Sequence, residues 1–230
     1  MTKPLRAYAV TEQGENVGGI FFARHAITAT KRGACEYADG DIHYVSCRRA
    51  PWADHLAETG AVPASLMIAH GWHFECHGCG ATIDEDWLRE QRLKVEGVCG
   101  YQNGRVFCCA RCKWKHMKYE ARRRAAEKEA IDAFKAIVRA RFGDVEFVDK
   151  DEDRRGHHAY VVEGDRGGWH WNQVSVAFKF PGMVYGPAHL ERREPYGRGR
   201  KGFIGPAKAT YTCCGGDVKA FEKFAAETKR

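Results

Sequence analysis

Two closely spaced groups of cysteines carry the clearest chemistry in this sequence. Cys76 and Cys79 are separated by two residues, and further along the chain a second group contains Cys108, Cys109 and Cys112. Two such groups can complete a tetrahedral shell of four thiolates, which suits Zn²⁺ with bonds of about 2.3 Å. We therefore predict one structural zinc ion per chain, held by Cys76, Cys79, Cys112 and one of the two adjacent cysteines.

Spacing alone leaves the choice between the two adjacent cysteines open. Cys109 and Cys112 repeat the two-residue spacing of the first pair, whereas Cys108 lies one residue further from Cys112. Adjacent residues at the end of a strand point in opposite directions, so we expect one of Cys108 and Cys109 to bind the metal and the other to point away from it.

Short elements around the cysteines are needed to bring the two groups together. Asn103 and Gly104 form the preferred two-residue hairpin turn, so residues 98–101 and 105–108 are expected to be short strands. The second cysteine group then lies where a long helix begins. Because a helix N-terminus carries partial positive charge, this position would partly neutralise the negative charge of a zinc tetrathiolate.

This order of a cysteine knuckle, a hairpin and cysteines on the first turn of a helix resembles treble-clef zinc fingers over residues 72–125. Many treble clefs have the pattern Phe-Cys-Ser-x-x-Cys at the second pair. Residues 107–112 fit that pattern with Cys109 at the serine position, so the resemblance favours Cys108 as the ligand.

Treble clefs also scaffold His-centred nucleases, so a treble-clef nuclease is an alternative function. It is the less favoured one, because residues 80–107 lack the histidine that such enzymes need.

A long basic helix is predicted directly after the second cysteine group. Residues 113–141 contain no Gly or Pro, and residues 111–128 contain eight basic side chains against two acidic ones. Four of the basic residues recur at helical spacing and form one stripe, which matches a phosphate backbone. Together with a second basic stretch near the C-terminus, the predicted nucleic-acid contacts are Arg111, Lys115, Lys118, Arg122, Arg123, Arg198, Arg200 and Lys201.

The apolar positions of the same helix form two sets. Trp114 and Met117 belong to the first set, and Phe134 and Val138 belong to the second. The second set is rotated by about a quarter turn from the first at 100° per residue. This difference in phase predicts that each half of the helix packs against a different body.

The fold class is predicted to be α+β, with three parts. These are a small N-terminal α+β unit at residues 1–55, the treble-clef-like zinc finger with the long basic helix at 64–142, and a C-terminal β-rich lobe with a terminal helix at 143–230. In the C-terminal lobe, residues 145–148 and 159–163 are expected to pair as a hairpin. Patterning further predicts strands at residues 5–10, 18–23 and 42–47 and helices at residues 25–38, 84–93 and 220–228.

Composition excludes several classes of protein. The 230 residues are 44% hydrophobic and 12% aromatic, which is enough for a real core. No apolar run reaches the roughly 18 residues of a membrane span, and the first residues lack the apolar core of a signal peptide. We therefore expect a cytoplasmic protein, in which ten cysteines serve as metal ligands and buried thiols rather than as disulfides.

The whole chain also resembles, loosely, uncharacterised proteins of tailed bacteriophages and prophages, through residues 19–38, the corner at residues 48–52 and the cysteine segment. This resemblance implies a role in the cytoplasm of a bacterial host. With a net charge of +7, the preferred function is non-enzymatic binding of nucleic acid, with DNA favoured over RNA. The alternatives are a module that binds an acidic host protein and inhibits a host enzyme or defence complex, and the nuclease. No membrane partner and no small-molecule substrate are indicated.

Overall fold

The computed structural model describes residues 3–15, 17–149, 156–164, 167–193 and 208–228. The chain divides into two units, residues 1–117 and 118–230, and one helix, α4 (Ala110–Phe142), runs across the division. Small antiparallel sheets and helices make up both units, so the mixed α+β class predicted from the sequence is confirmed. Among the described residues, no helix combines the length and the apolar character needed to cross a membrane.

A three-stranded antiparallel sheet forms the start of the first unit. Its strands are β1 (Arg6–Glu12), β2 (Gly18–Ala23) and β3 (Val45–Arg49), in the order β2-β1-β3, and helix α1 (Ala26–Tyr37) follows β2. Tyr8 and Val10 share a buried cluster with Ala29 and Ala34 of α1. A Cβ at Gly33 would lie 2.4 Å from Val10 Cγ1, so glycine is what lets the helix approach the sheet this closely.

The opposite face of this sheet supports the cysteine segment. Ala7 and Ile20 pack there with Val62 and with Met67 of helix α2 (Ala64–Ile68). At the edge of β2, the side-chain amide of Gln102 accepts a hydrogen bond from Ile20 N and donates one to Ile20 O, both at 2.8 Å. The segment between the two cysteine groups is therefore fastened to the sheet by an amide that imitates a neighbouring strand.

The elements around the cysteines are short. They are β4 (Phe74–Glu75), β5 (Thr82–Ile83) and α3 (Glu85–Glu90), with Asp84 accepting a hydrogen bond from Trp87 N at 2.7 Å to cap α3. Helix α3 is shorter than predicted because the backbone of Arg92 takes a left-handed φ of 54°. The predicted hairpin at residues 98–108 is reduced to one bridge, in which Cys99 and Phe107 exchange N–H to O hydrogen bonds of 2.9 and 2.8 Å.

The second unit contains a four-stranded antiparallel sheet in the order β6-β7-β8-β9. Its strands are β6 (His158–Glu163), β7 (Trp169–Phe178), β8 (Ala188–Arg193) and β9 (Thr210–Thr212), and helix α5 (Val218–Glu227) follows. Phe134, Val138 and Phe142 of α4 are buried against Val176 and Phe178 of β7. The predicted β-rich character and the terminal helix of this region are present.

The predicted hairpin between residues 145–148 and 159–163 is wrong. Strand β6 pairs with the first part of β7, and residues 146–148 lie along the last part of β7, where Val148 N donates to Ala177 O at 3.0 Å. The cause is the length of β7, because its ten residues extend beyond β6 and offer a free edge to the preceding segment.

The apolar set in the first half of α4 is not buried, although its phase predicted that it would pack against a body of its own. The buried residues of this helix recur every four positions from Ala126 to Phe142. Trp114 and Met117 are instead 60% and 59% exposed. In the first turns of α4, Cys112 packs against the buried cluster that contains Cys76 and Cys108. The helix therefore contacts the rest of the first unit through the face that carries Cys112.

Candidate metal centre

The first cysteine pair lies in a tight turn between β4 and β5. Cys76 N donates to Ala81 O at 2.8 Å, and Gly80 N donates to Cys76 O at 2.8 Å. Gly80 takes a positive φ of 72°, a conformation that L side chains rarely adopt. The turn therefore forms a knuckle that presents Cys76 and Cys79 on the same side.

The second pair is placed against this knuckle by the bridge at Cys99 and by the start of α4. His77 N donates to Val106 O at 2.8 Å, which joins the knuckle to the chain just before Cys108. A Cβ at Gly78 would lie 3.0 Å from both Cβ and the carbonyl oxygen of Cys112. The absence of a side chain at Gly78 thus allows the knuckle to touch the first turn of the helix.

The four sulfur atoms of Cys76, Cys79, Cys108 and Cys112 all lie within 4.8 Å of one another. Cys108 Sγ is 3.9 Å from Cys79 Sγ and 3.5 Å from Cys112 Sγ. A regular tetrahedron of sulfur atoms around a zinc ion has edges of about 3.8 Å when its bonds are about 2.3 Å. The spacing of the sulfurs therefore fits a metal ion at their centre.

Burial and hydrogen bonding support the same geometry. Cys76 and Cys108 are buried, Cys112 is half-buried and Cys79 is exposed. Cys108 N donates to Cys76 Sγ at 3.3 Å, a bond that stabilises a thiolate rather than a thiol. In the described part of the chain, this is the single group of three or more His, Cys, Asp or Glu side chains placed to share an ion.

The thiols differ in acidity because burial and hydrogen bonding act on them to different extents. Burial, together with hydrogen bonds to neighbouring cysteines, raises the pKa of Cys108 far above its ordinary value, and burial raises the pKa of Cys112 to about 11. Burial acts in the same direction at Cys76, but N–H groups of Cys108, Gly78 and Cys79 donate to its sulfur and lower its pKa to about 7. One sulfur thus ionises easily while two neighbours keep their protons, and a divalent cation would displace those protons.

Cys109 serves the helix rather than the sulfur group. N–H groups of Cys112 and Arg111 donate to its sulfur and lower the pKa of the Cys109 thiol. A side chain that accepts from the first turn in this way acts as a helix cap. Cys109 Sγ lies 3.8 Å from Cys108 Sγ, yet it is not one of the four sulfurs within 4.8 Å of one another. The structure thus brings together the set that the sequence favoured.

The first turns of α4 carry exposed cations beside the four-cysteine group. Arg111, Lys115 and Lys118, all predicted as nucleic-acid contacts, are exposed, and so is Lys113. Within the described ranges, no carboxylate pairs with the side chains of Arg111, Lys113 or Lys115. Three positive charges without a carboxylate partner therefore lie within five residues at the start of the helix.

The other predicted contacts are placed differently. Arg122 Nη2 lies 2.7 Å from Glu163 Oε1, and its guanidinium lies 5.9 Å from the centre of the Trp169 ring. Arg123 pairs with Glu120 at 3.2 Å and with Glu127 at 3.5 Å. Their charges are compensated within the second unit. Arg198, Arg200 and Lys201 lie outside the described residues.

Arg105, His77 and His116 form a group beside the knuckle that was not predicted as a site. Arg105 Nη1 lies 2.7 Å from His116 Nε2. The His116 ring is 5.2 Å from the His77 ring and 5.3 Å from the Phe107 ring, measured between centroids. One signal was present in the sequence, because His116 follows Cys112 by four positions and must share its face of the helix.

No protein-family model matches this chain, and no curated protein or solved structure is significantly similar to it. The resemblances to treble-clef fingers and to phage proteins therefore stay predictions.

Proposed function

We propose that Cys76, Cys79, Cys108 and Cys112 hold one zinc ion in a treble-clef-like finger. The sulfur separations of 3.5 and 3.9 Å support this assignment, as does the N–H donated by Cys108 to the Cys76 sulfur. A shell closed by four sulfurs leaves no position for a substrate, so the role of the ion is structural. When bound, the ion cross-links the knuckle to the first turn of α4.

We further propose that the protein binds nucleic acid without catalysis, through the start of α4. The observation that carries this proposal is the set of exposed cations without carboxylate partners, Arg111, Lys113 and Lys115. Cations on a rigid helix match the charge of a phosphate backbone, and each contact releases counterions. The metal centre fixes the direction in which this helix leaves the finger.

The proposed surface is shorter than the stripe expected from the sequence. Arg122 and Arg123 are engaged with Glu163, Glu120 and Glu127, so they are not available to phosphates without breaking ion pairs. Arg105 adds a fourth cation beside His116, next to the helix start. The surface we propose therefore consists of residues 105–117.

Fluorescence polarisation across a salt series tests this proposal. The triple variant Arg111→Ala, Lys113→Ala and Lys115→Ala should bind labelled DNA more weakly. Its plot of log K against log salt should be flatter by about 0.7 to 0.9 for each phosphate that the variant no longer neutralises. The matched control removes the same charge from exposed helix positions elsewhere, with Lys128→Ala, Lys219→Ala and Lys223→Ala, and should bind as the native protein does.

Two results would contradict the proposal. If the two triple variants have the same salt slope, the start of α4 is not the phosphate-binding surface. If the native protein binds no nucleic acid at low salt but retains one protein from a host lysate, in a manner that the first triple variant abolishes, the surface binds an acidic protein instead.

A further inference from the structure

Trp114 and Met117 are exposed on the first two turns of α4, although both are large and apolar. Trp114 is 60% exposed and Met117 is 59% exposed. Trp114 follows Cys112 by two positions, which places it about 200° around the helix from that ligand. The indole therefore lies on the side of the helix that faces away from the metal centre.

The same turns carry the three cations that have no carboxylate partner. Lys113 and Lys115 are the chain neighbours of Trp114, and Arg111 lies one helical turn before it. A hydrophobic ring surrounded by cations has two properties at once: it attracts a polyanion, and it offers that polyanion a flat apolar surface. A nucleic acid matches both properties, because each of its nucleotides carries a negatively charged phosphate and a flat aromatic base.

We propose that Trp114 is a base-stacking platform and that this surface binds single-stranded nucleic acid in preference to a duplex. This inference rests on the proposed function and specifies its ligand. In a single strand the face of each base is available for stacking on an aromatic side chain, whatever the sequence. In a duplex the base faces are covered by neighbouring pairs, so the ring could reach one only at an end or after unstacking.

The basic residues and the ring then have separate roles. Arg111, Lys113 and Lys115 contact phosphates and set the salt dependence of binding, whereas Trp114 adds an attraction that salt does not screen. Met117, one turn after Trp114, extends the apolar surface along the helix. Binding is expected to tolerate many sequences, because stacking does not read the hydrogen-bonding edges of the bases.

The test compares one labelled DNA strand of about 16 nucleotides, near the upper end of site sizes for single-strand-binding modules, with the duplex made from it. The native protein should bind the strand more tightly than the duplex at the same salt concentration. Trp114→Ala should weaken binding to the strand by about tenfold or more and bring it close to binding of the duplex. Trp114→Tyr keeps an aromatic face and should retain most of the affinity.

A matched control uses an aromatic residue of equal exposure. Tyr44 is 61% exposed and lies just before β3 in the N-terminal sheet region, so Tyr44→Ala should leave binding unchanged. Stacking should also quench part of the tryptophan fluorescence on addition of the strand, and this quenching should be lost in Trp114→Tyr.

The failures of the two proposals are distinguishable. If strand and duplex bind equally, or if Trp114→Ala behaves as Tyr44→Ala does, the stacking proposal is overturned while phosphate binding by Arg111, Lys113 and Lys115 stands. If Trp114→Ala weakens duplex binding as much as strand binding, the ring is a duplex contact, and the preference for single strands is wrong. If no nucleic acid binds at low salt, both proposals fail together.

Discussion

The cysteine finger (residues 74–117) and the C-terminal sheet (β6 to β9) are stabilised by different means. In the finger, β4 and β5 are two residues long, and two of the nine residues in its buried cluster, Cys76 and Cys108, are also members of the sulfur group. In the second unit, β7 is ten residues long and Phe142 alone contacts four other rings. Those rings belong to Phe178, Tyr211, Phe221 and Phe224.

This difference shows where a cross-link is needed. Short strands and a small core bury too little apolar surface to offset the entropy of ordering the chain. A metal ion in the sulfur group would supply what the finger lacks, while aromatic burial suffices for the sheet. The two regions should therefore respond to different perturbations.

Removal of the proposed zinc ion should have the largest effect and should act on the finger. Structural zinc contributes on the order of 10 kcal/mol to small fingers, so a strong chelator should unfold residues 74–117. Hydrogen exchange should show loss of protection there and little change in β6, β7 and β8. Cys112→Ser should behave like the chelated protein, whereas Cys35→Ser, at an exposed cysteine outside the sulfur group, should behave like the native one. If the finger keeps full protection from hydrogen exchange after its metal has been shown to be lost, its stability does not depend on the metal.

Truncation of Phe178 should act on the other region. This side chain is fully buried at the centre of the aromatic cluster, so Phe178→Ala should destabilise the second unit by about 3–5 kcal/mol. Denaturant unfolding should show the loss of stability, and the metal content of the folded variant should equal that of the native protein. Tyr160→Ala, at an exposed ring on β6, is the control and should change stability little. Release of metal from Phe178→Ala would show that the two regions are not independent.

Metal binding should release protons. The pKa of Cys108 is raised far above its ordinary value and that of Cys112 is raised to about 11, so both thiols are protonated at neutral pH when the finger is folded. An unfolded finger would also hold these protons, because an ordinary thiol has a pKa of about 8.5. At least two protons should leave per metal bound, and metal affinity should therefore fall by at least about a hundredfold per unit as the pH is lowered. A pH indicator in weak buffer counts the protons, and release of fewer than two would disprove the account of the site.

Asp217 provides a smaller test within the second unit. Its buried carboxylate accepts hydrogen bonds from the N–H groups of Val184, Tyr185 and Gly186 at 3.0, 2.9 and 3.3 Å. Asp217→Ala leaves these donors without their acceptor and should cost about 2 kcal/mol, whereas Asp217→Asn keeps one acceptor oxygen and should cost less. Equal stability of the two variants in thermal unfolding would show that the hydrogen bonds contribute little.

The cysteine group and the long helix could be predicted from the sequence because both depend on local information. The spacing of Cys76 and Cys79 defines a turn, and the uninterrupted helix-forming composition after Cys112 defines a helix. The capping role of Cys109 follows from the same local geometry, since a residue directly before a helix is placed to accept from its first turn.

Contacts between distant residues could not be predicted in this way. The ion pair of Arg122 with Glu163 and the amide contact of Gln102 with Ile20 join residues whose proximity depends on the folded chain. Apolar spacing identified the face of α4 that carries Trp114. It could not show whether another element of the fold buries that face. The pairing of Arg123 with Glu120 and Glu127 is an exception, because helical spacing of three and four residues was visible in the sequence.

Native mass spectrometry of the purified protein shows whether the chain holds a single zinc ion in one site of four sulfurs. The native protein should exceed its denatured mass by one zinc ion, corrected for the protons that leave. Cys108→Ser should lose the ion, while Cys109→Ser should keep it, since serine caps a helix as well as the thiol does. A native protein without metal, or a Cys108→Ser variant that retains the ion while Cys109→Ser loses it, would contradict the account.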